Sequence, residues 1–160
     1  MKKILSLLIC TILFVTLLAQ PVQAEEIIYP KVYHVYTTED EAMSDEWYVV
    51  QKGAYLLSGS CEIIRSSGTS ITIAGVTNAV QDCDKVQLKL YVERSTSKTS
   101  GYTTYKSYSY SANNAHQITK EVANIPVVRG YYYRIRGVHS VVEGSTTETT
   151  SSLSNPLSFI

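Results

Sequence analysis

The stretch Asp84–Arg94, DKVQLKLYVER, alternates apolar and polar residues without interruption. Val86, Leu88, Leu90 and Val92 fall on one side of an extended chain, because successive side chains of a strand point to opposite faces. A helix would instead repeat its apolar residues every three to four positions. The stretch therefore predicts a half-buried strand of an antiparallel sheet, with one face on the core and one in water.

The sequence on both sides of this strand is typical of further short strands. Stretches rich in Leu, Ile, Val, Thr and Tyr are separated by turns that contain Gly and Ser. These stretches cover residues 55–65, 69–74, 102–110, 116–125, 131–142 and the last few residues of the chain. About seven strands with no helical period between them predict an all-β domain, an antiparallel β-sandwich covering residues 52–160.

The first 24 residues, MKKILSLLICTILFVTLLAQPVQA, have the three parts of a secretory signal peptide. Lys2 and Lys3 form a basic start, residues 4–19 are mostly apolar, and Val22-Gln23-Ala24 resembles a cleavage site. An uncleaved membrane anchor is the alternative, but a span needs roughly 20 apolar residues and this run is shorter. We expect cleavage near Ala24, and a secreted, extracellular protein without stable membrane insertion.

Residues 25–51 are expected to form an N-terminal extension with an acidic segment, Glu39–Glu46. Thr38 and Glu41 have the spacing of a capping box, which favours one or two helical turns around Glu39–Ser44. The carboxylates are of the type that binds calcium, but the regular ligand spacing and the turn glycine of an EF-hand loop are missing. A solvated acidic linker is the preferred interpretation, and no metal site is expected.

Charge and composition limit the partners. The chain has 14 basic and 14 acidic residues, and loss of Lys2 and Lys3 with the signal peptide makes the mature chain slightly acidic. Nucleic acid is therefore not an expected partner, since no basic field is present to attract phosphates. An extracellular protein or glycan is the expected class of partner.

Two of the three cysteines remain after signal cleavage, Cys61 and Cys83. An even pair in an oxidising compartment favours a disulfide bond between them. The alternative is two reduced cysteines that are buried separately. A zinc site is less favoured than either, because no histidine lies near these cysteines in the sequence.

Tyrosine is the most informative residue type, with 13 tyrosines against two phenylalanines. A tyrosine ring packs like an apolar group, but its hydroxyl requires water or a partner. Several of these rings are therefore expected to face solvent, with neighbouring arginines adding cation–π contacts. The predicted ligand-binding face comprises Tyr102, Tyr105, Tyr108, Tyr132, Arg134 and Arg136. Two alternatives remain open: the tyrosines form a structural cross-strand ladder, and the arginines are ordinary cross-strand partners of Glu93.

Catalytic motifs are not evident. The sequence has no G-x-S-x-G, and His34, His116 and His139 lie on different segments. We predict no catalytic residue and no cofactor, and expect a non-enzymatic binding domain or a component of the cell envelope. A secreted hydrolase or hydrolase inhibitor is the alternative. A third hypothesis is a structural surface protein with an exposed strand that associates with other chains.

Two resemblances to known families support this interpretation. The strings LSGSCEIIRSSGTSITIAGVTNA (57–79), CDKVQLKLYVE (83–93) and GYYYRIRGVHSV (130–141) resemble a family of small secreted proteins, known mainly from Gram-positive gut-type anaerobes and classed as a domain of unknown function. The resemblance implies a secreted bacterial domain and transfers no catalytic residue. The segment NIPVVRGYYYRIRGVHSVVEG (124–144) is loosely similar to the penultimate strand of fibronectin type III and Ig-like sandwiches.

Overall fold

Every regular element in the described part of the chain is a β-strand. The computed structural model describes residues 41–43, 47–48 and 54–160, all of them within one compact unit. The strands are β1 (Glu41–Met43), β2 (Trp47–Tyr48), β3 (Leu56–Ser67), β4 (Ser70–Ser95), β5 (Thr103–Pro126), β6 (Tyr131–Glu143), β7 (Thr146–Leu153) and β8 (Leu157–Phe159). All strand pairs are antiparallel. The prediction of an all-β, antiparallel fold is therefore confirmed.

β4 is too long to remain straight in a small domain. Its 26 residues would span about 85 Å when fully extended. Instead, the Thr77 hydroxyl donates a hydrogen bond of 3.1 Å to the backbone oxygen of Gln87, ten residues further along the same strand. The bend coincides with an interruption of the β4–β5 pairing between Asn78 and Cys83.

β5 follows the bend of β4 with two irregular positions of its own. Asn114 and Asn124 have positive φ angles of 48° and 58°. Asparagine adopts this left-handed conformation more readily than most residues. Asn114 follows Asn113, which pairs with Lys85 of β4, and Asn124 lies beside the second register shift of the pair. Local bulges of this kind bend a strand and increase its twist, so both strands of the long hairpin turn together.

The bent hairpin runs through a single sheet that curls into a half-barrel, and we call the parts of this sheet before and after the bend its two layers. β3 pairs with residues 70–79 of β4, and β6 pairs with residues 85–95, while β5 pairs with both halves of β4. β7 and β8 then pair with β6, and β1 and β2 pair with β3. The eight described strands therefore form one continuous sheet. The sequence predicts a sandwich of about seven strands, whereas the structure has one sheet in which five strands, β3 to β7, are longer than three residues.

The core lies between the two halves of the folded sheet. Val86, Leu88, Leu90 and Val92 are at most 1% exposed, as the alternation of DKVQLKLYVER predicts. A Cβ atom on Gly75 in the first half of β4 would meet the side chains of Leu88 and Leu90 in the second half. The opposite layer contributes further fully buried residues, among them Ile63, Ile71, Ile73 and Thr77.

Glu148 of β7 joins the edge of one layer to the start of β3. Its Oε1 accepts a hydrogen bond from the backbone N–H of Ala54 at 2.7 Å. Its Oε2 accepts two more, from Tyr55 at 3.1 Å and Leu56 at 2.6 Å. Backbone donors at the beginning of a strand require partners when they are removed from water. One carboxylate thus satisfies three of them and fixes β3 against β7.

The expected helical turns around Glu39–Ser44 are wrong where the structure describes them. Glu41–Met43 is β1, which pairs with Glu62–Ile64 of β3. Pairing with an available strand edge satisfies the backbone more completely than an isolated turn, since short helices are marginal in water. Part of the predicted extension thus joins the sheet. The predicted signal peptide, residues 1–24, lies outside the described residues, and so does most of the extension.

The structure does not show the expected disulfide between Cys61 and Cys83. The two side chains are buried at separate places in the sheet. Cys61 pairs with Gly75 in the β3–β4 register, whereas Cys83 lies beyond the bend of β4. A disulfide needs Cα atoms within about 7 Å. The Cys61 thiol instead lies 3.5 Å from the Ile135 carbonyl oxygen, and the Cys83 thiol lies 3.3 Å from that of Gln81.

Gly59 is expected to tolerate no side chain. A Cβ atom at this position would overlap the buried ring of His139, whereas a Cβ on Gly68 would meet no atom within 4 Å. We predict that Gly59→Ala lowers the free energy of unfolding by about 1–3 kcal/mol, because the added methyl group overpacks the space between the layers. Gly68→Ala, the matched control, should change it by less than about 0.5 kcal/mol. Urea denaturation of both variants measures the difference, and equal stability of the two would contradict this account of the packing.

Candidate ligand-binding face

The outer face of the sheet is defined by the polar positions of β4. Tyr91 and Glu93 alternate with the buried residues Leu90 and Val92, and therefore point away from the core. In the β4–β6 register, Tyr91 lies opposite Arg136 and Glu93 lies opposite Arg134. Tyr132 is on the same side of β6, and Tyr102 precedes β5 and contacts Arg134. We call this set the Tyr–Arg face: Tyr91, Glu93, Tyr102, Tyr132, Arg134 and Arg136.

Glu93 is the centre of the Tyr–Arg face and is only 6% exposed. Its Oε2 accepts hydrogen bonds from Nε and Nη2 of Arg134 at 2.9 and 2.8 Å, and its Oε1 accepts one from Nε of Arg136 at 2.7 Å. A nearly buried carboxylate requires such pairing, since an unpaired charge at this depth is costly. Both guanidinium groups are thereby held in fixed positions.

Each of the two arginines also stacks on a tyrosine. Cζ of Arg134 lies 3.9 Å from the ring centroid of Tyr102, and Cζ of Arg136 lies 4.1 Å from that of Tyr91. Both distances are well within the range of cation–π attraction. The five side chains form a continuous row in the order Tyr102, Arg134, Glu93, Arg136, Tyr91. This row crosses the face from the loop before β5 to Tyr91, near the end of β4.

The tyrosine at the loop end of the row is uncharged. The Tyr102 hydroxyl donates a hydrogen bond to the Lys98 carbonyl oxygen at 2.9 Å. Burial raises the pKa of Tyr102, although the nearby Arg134 acts in the opposite direction. The ring therefore remains a neutral stacking partner for Arg134 at physiological pH.

Arg136 is the more accessible of the two arginines. Its side chain is 35% exposed, and that of Arg134 is 25% exposed. Arg134 uses Nε and one terminal nitrogen on Glu93, whereas Arg136 uses Nε alone. Among the described residues, none accepts a hydrogen bond from the terminal nitrogens of Arg136. The terminal nitrogens of the Arg136 guanidinium group can therefore donate hydrogen bonds to an additional acceptor.

The structure divides the six residues predicted as a ligand-binding face into two groups. Tyr102, Tyr132, Arg134 and Arg136 lie together on the Tyr–Arg face. Tyr105 and Tyr108 instead pack against the core from β5. The pairing of β5 with β4 places Tyr105 and Tyr108 on the side of the sheet that faces the core, opposite to the Tyr–Arg face.

The tyrosines of β5 cover the side of the core. The Tyr105 hydroxyl donates to the Pro126 carbonyl oxygen at 3.1 Å, near the far end of the same strand. Its ring contacts that of Tyr133 edge-on, and Arg94 lies 4.5 Å above it. Burial raises the pKa of Tyr108, with Tyr110 and Tyr105 as further causes. Tyr105 and Tyr108 therefore pack against the core, which differs from the cross-strand ladder on an exposed face that was the structural alternative.

Sequence reasoning missed Tyr91 as part of the face. Its position on the polar side of DKVQLKLYVER was visible, since it has the same parity as Glu93. What the sequence does not contain is the β4–β6 register, which places Arg136 over this ring. The alternative in which the arginines are cross-strand partners of Glu93 is confirmed, and this pairing is what builds the row.

A histidine–serine pair is present, but it is enclosed. His139 Nε2 lies 2.7 Å from the Ser152 hydroxyl, a distance suited to a nucleophile and its base. However, His139 is 0% exposed and Ser152 only 2% exposed. His139 Nδ1 lies 2.9 Å from the Thr77 hydroxyl. No substrate reaches this pair in the folded protein.

The hydrogen bonds around His139 determine its tautomer. The Thr77 hydroxyl proton is donated to the Gln87 carbonyl oxygen, so Thr77 Oγ1 accepts from His139 Nδ1–H. His139 Nε2 is then unprotonated and accepts from Ser152. Burial lowers the pKa of His139 to about 4, which agrees with a neutral ring. The row of hydrogen bonds connects β7, β6 and both halves of β4.

Few other ionisable side chains in the described part of the chain lie close enough together to form a site. His116 Nδ1 lies 2.8 Å from Asp82 Oδ1, and both side chains are about 70% exposed at the bend of β4. Within the described ranges, no three His, Cys, Asp or Glu side chains are grouped so that they could hold a metal ion. The same ranges contain no helix of the length and hydropathy that crossing a bilayer requires.

The burial of His139 predicts an acid-sensitive fold. An unfolded histidine takes up a proton near pH 6.5 and the folded one near pH 4, so the unfolded chain binds more protons between these values. The stability due to neutral His139 is complete above pH 6.5 and is lost as the pH falls to about 4. The loss is about 3 kcal/mol. Urea denaturation from pH 7 to pH 4 should show this loss in the natural protein.

Two variants separate this effect from the titration of carboxylates. His139→Gln should be less stable at pH 7 but lose about 3 kcal/mol less than the natural protein on acidification, because its side chain does not titrate. His116→Gln, at a histidine whose side chain is 70% exposed, is the matched control and is measured over the same pH range. Parallel curves for His139→Gln and the natural protein would show that His139 does not cause the acid sensitivity.

Comparison with known proteins gives one family. No curated protein matches the chain. The model of a family of unknown function, DUF6147, matches residues 22–156, which include every strand described here except the last. The match confirms the resemblance to a domain of unknown function. The chain belongs to DUF6147, a family of unknown function.

Proposed function

We propose that this protein is a non-enzymatic binding domain that acts outside the cytoplasm and takes its ligand on the Tyr–Arg face. The observation that carries the proposal is the fixation of Arg134 and Arg136 by the buried carboxylate of Glu93. Surface arginines normally lose side-chain freedom when they bind a ligand, which lowers affinity. Here that freedom is already lost in the folded protein, so the face is preorganised.

The strands under the face also support a binding role. Four of the five residues of the row, all except Tyr102, lie on β4 and β6, which both pair with neighbours on each side. Sites supported by internal strands are held more precisely than sites on loops. Tyrosine and arginine are also the residue types that are enriched at binding surfaces. The glycan or protein ligand expected from the sequence therefore has a defined surface to bind.

We further propose that the folded sheet is this chain's equivalent of the sandwich expected from the sequence. Two layers would face each other as in a fibronectin-like domain, with the bent β4 and β5 continuing from one layer into the other. Contacts between the layers support this: Cys61 with the Ile135 carbonyl oxygen, and Thr77 with His139. In this interpretation, the bend of β4 replaces the loop that joins the two sheets of a sandwich.

The proposal of export is compatible with the burial of Cys61 and Cys83. Cys61 and Cys83 are 1% and 2% exposed. Burial raises the pKa of the Cys83 thiol, and the carboxylates of Glu143 and Asp82 act in the same direction. A thiol that is buried and protonated reacts slowly with oxidants, because the thiolate is the reactive form. The burial and raised pKa of Cys83 therefore protect its thiol from oxidation.

A second candidate function is association with other chains through β5. This strand has 24 residues, and no described strand other than β4 pairs with it. A long free edge offers backbone donors and acceptors to another strand. An envelope component assembled through such edges is the structural alternative. The hydrolase alternative is less favoured, because the Ser152–His139 pair is enclosed.

Binding of the purified mature chain to a glycan array and to a panel of extracellular proteins tests the proposal. We expect at least one specific ligand, whose affinity falls at least tenfold in Arg136→Gln or Tyr91→Ala. Arg129→Gln, an exposed arginine in the turn before β6, is the matched control and should retain the natural affinity. Melting temperatures of the three variants show whether any loss arises from unfolding.

Two outcomes would overturn the proposed face. The first is a ligand whose affinity is unchanged in folded Arg136→Gln and Tyr91→Ala. The second is no binding to any probe, combined with concentration-dependent oligomers in sedimentation velocity, which would favour association through β5.

A further inference from the structure

The charges of the Tyr–Arg face and its border are mainly positive. Lys89, Arg134 and Arg136 lie on this side of the sheet, and Glu93 is the one carboxylate among them, so the four groups carry a net charge of +2. Lys89 also lies 5.6 Å from the ring centroid of Tyr91. Although the chain as a whole has a net charge of zero, this face would attract an anionic ligand.

Three carboxylates outside the Tyr–Arg face are engaged in hydrogen bonds with the backbone. At the bend of β4, Glu143 accepts a hydrogen bond from the backbone N–H of Asp84, and Asp84 accepts one from Gly144. Glu148 accepts three backbone N–H groups at the start of β3. The carboxylate oxygens of Glu143, Asp84 and Glu148 are thus engaged with backbone N–H groups, and Glu93 is the carboxylate that pairs with the arginines of the face.

Arg136 lies between two apolar surfaces. Its register partner on β4 is Tyr91, and its register partner on β7 is Leu153. Leu153 is 45% exposed, which is unusual for a large apolar side chain in this domain. The guanidinium group of Arg136 can bind an anion. Tyr91 and Leu153 on either side of it offer apolar surface to the C–H groups of the same ligand. Ser107, the β5 partner of Tyr91, adds a hydroxyl at the border.

The Tyr–Arg face lies on internal strands of the sheet, which favours a glycan over an extended peptide as its ligand. Extended peptides are bound at sheet edges, where main-chain hydrogen bonds provide the affinity. The backbone of β4 and β6 beneath the Tyr–Arg face is already paired on both sides. Recognition on this face therefore depends on side chains alone. A sugar ring with one apolar face and a charged substituent presents the groups that these side chains can bind.

We propose that the Tyr–Arg face binds an acidic glycan, with a sugar carboxylate on the terminal N–H groups of Arg136 and the C–H face of the sugar against Tyr91 and Leu153. This inference rests on the proposed function and specifies its ligand. The fork of an arginine matches a carboxylate with two parallel hydrogen bonds. Glu93 holds Nε of Arg136 and leaves the opposite edge directed to the ligand.

Isothermal titration calorimetry with a matched pair of sugars tests the proposal. The probes are oligogalacturonate and its methyl ester, which has the same sugar backbone without the negative charge. We expect binding of oligogalacturonate that is at least tenfold tighter than binding of the ester. Arg136→Lys retains the charge but removes the fork, and should weaken binding at least fivefold. Leu153→Ser should weaken binding of the acid at least threefold, and Arg129→Gln should have no effect.

Further probes distinguish other sources of negative charge. A sulfated galactan and poly-glutamate are titrated in parallel. Tighter binding of either one than of oligogalacturonate would overturn the assignment of a sugar carboxylate, and would leave the proposed binding role of the face intact. Equal affinity for the acid and its ester, or no binding of oligogalacturonate to the folded protein, would also overturn it. The proposed function is tested independently of the acidic glycan: it would be overturned if Arg136→Gln and Tyr91→Ala altered no interaction found on the arrays.

Discussion

The return of β4 onto itself is the constraint on which the other parts of this structure depend. Thr77 and Gln87 belong to one strand, yet they are joined by a hydrogen bond of 3.1 Å. Because β4 contributes to both layers, its partners β3 and β6 are brought face to face. Close approach requires small residues at the contact, and a Cβ on Gly75 would meet the side chains of Leu88 and Leu90. The core is the space that this bend encloses.

Polar side chains then fix the two layers relative to each other. The neutral ring of His139 connects Ser152 of β7 to Thr77 of β4. Glu148 satisfies three backbone donors where β3 begins. Within the described residues, every buried side-chain nitrogen or oxygen atom has a hydrogen-bond partner. A satisfied network of this kind is specific, because any other register of the strands would leave buried groups unpaired.

The same strand that supplies the core also supplies the proposed ligand face. Leu90 and Val92 are buried, and the residues between and beyond them, Tyr91 and Glu93, point outward. The proposed site is therefore rigid for the same reason that the core is well packed. The pairing of β4 with β6 brings Arg134 and Arg136 next to Glu93. The ion pairs with Glu93 then hold both guanidinium groups in place.

The sequence by itself determined the strand character of the chain, the buried side of DKVQLKLYVER and the alternating pattern of β6. These follow from local alternation, which depends only on neighbouring residues. Tertiary structure decided the rest: the separation of Cys61 from Cys83, the inward packing of Tyr105, and the place of Arg136 above Tyr91. All three depend on strand register and on the bend of β4. Both arise from pairing between residues distant in sequence, which a one-residue shift would change completely.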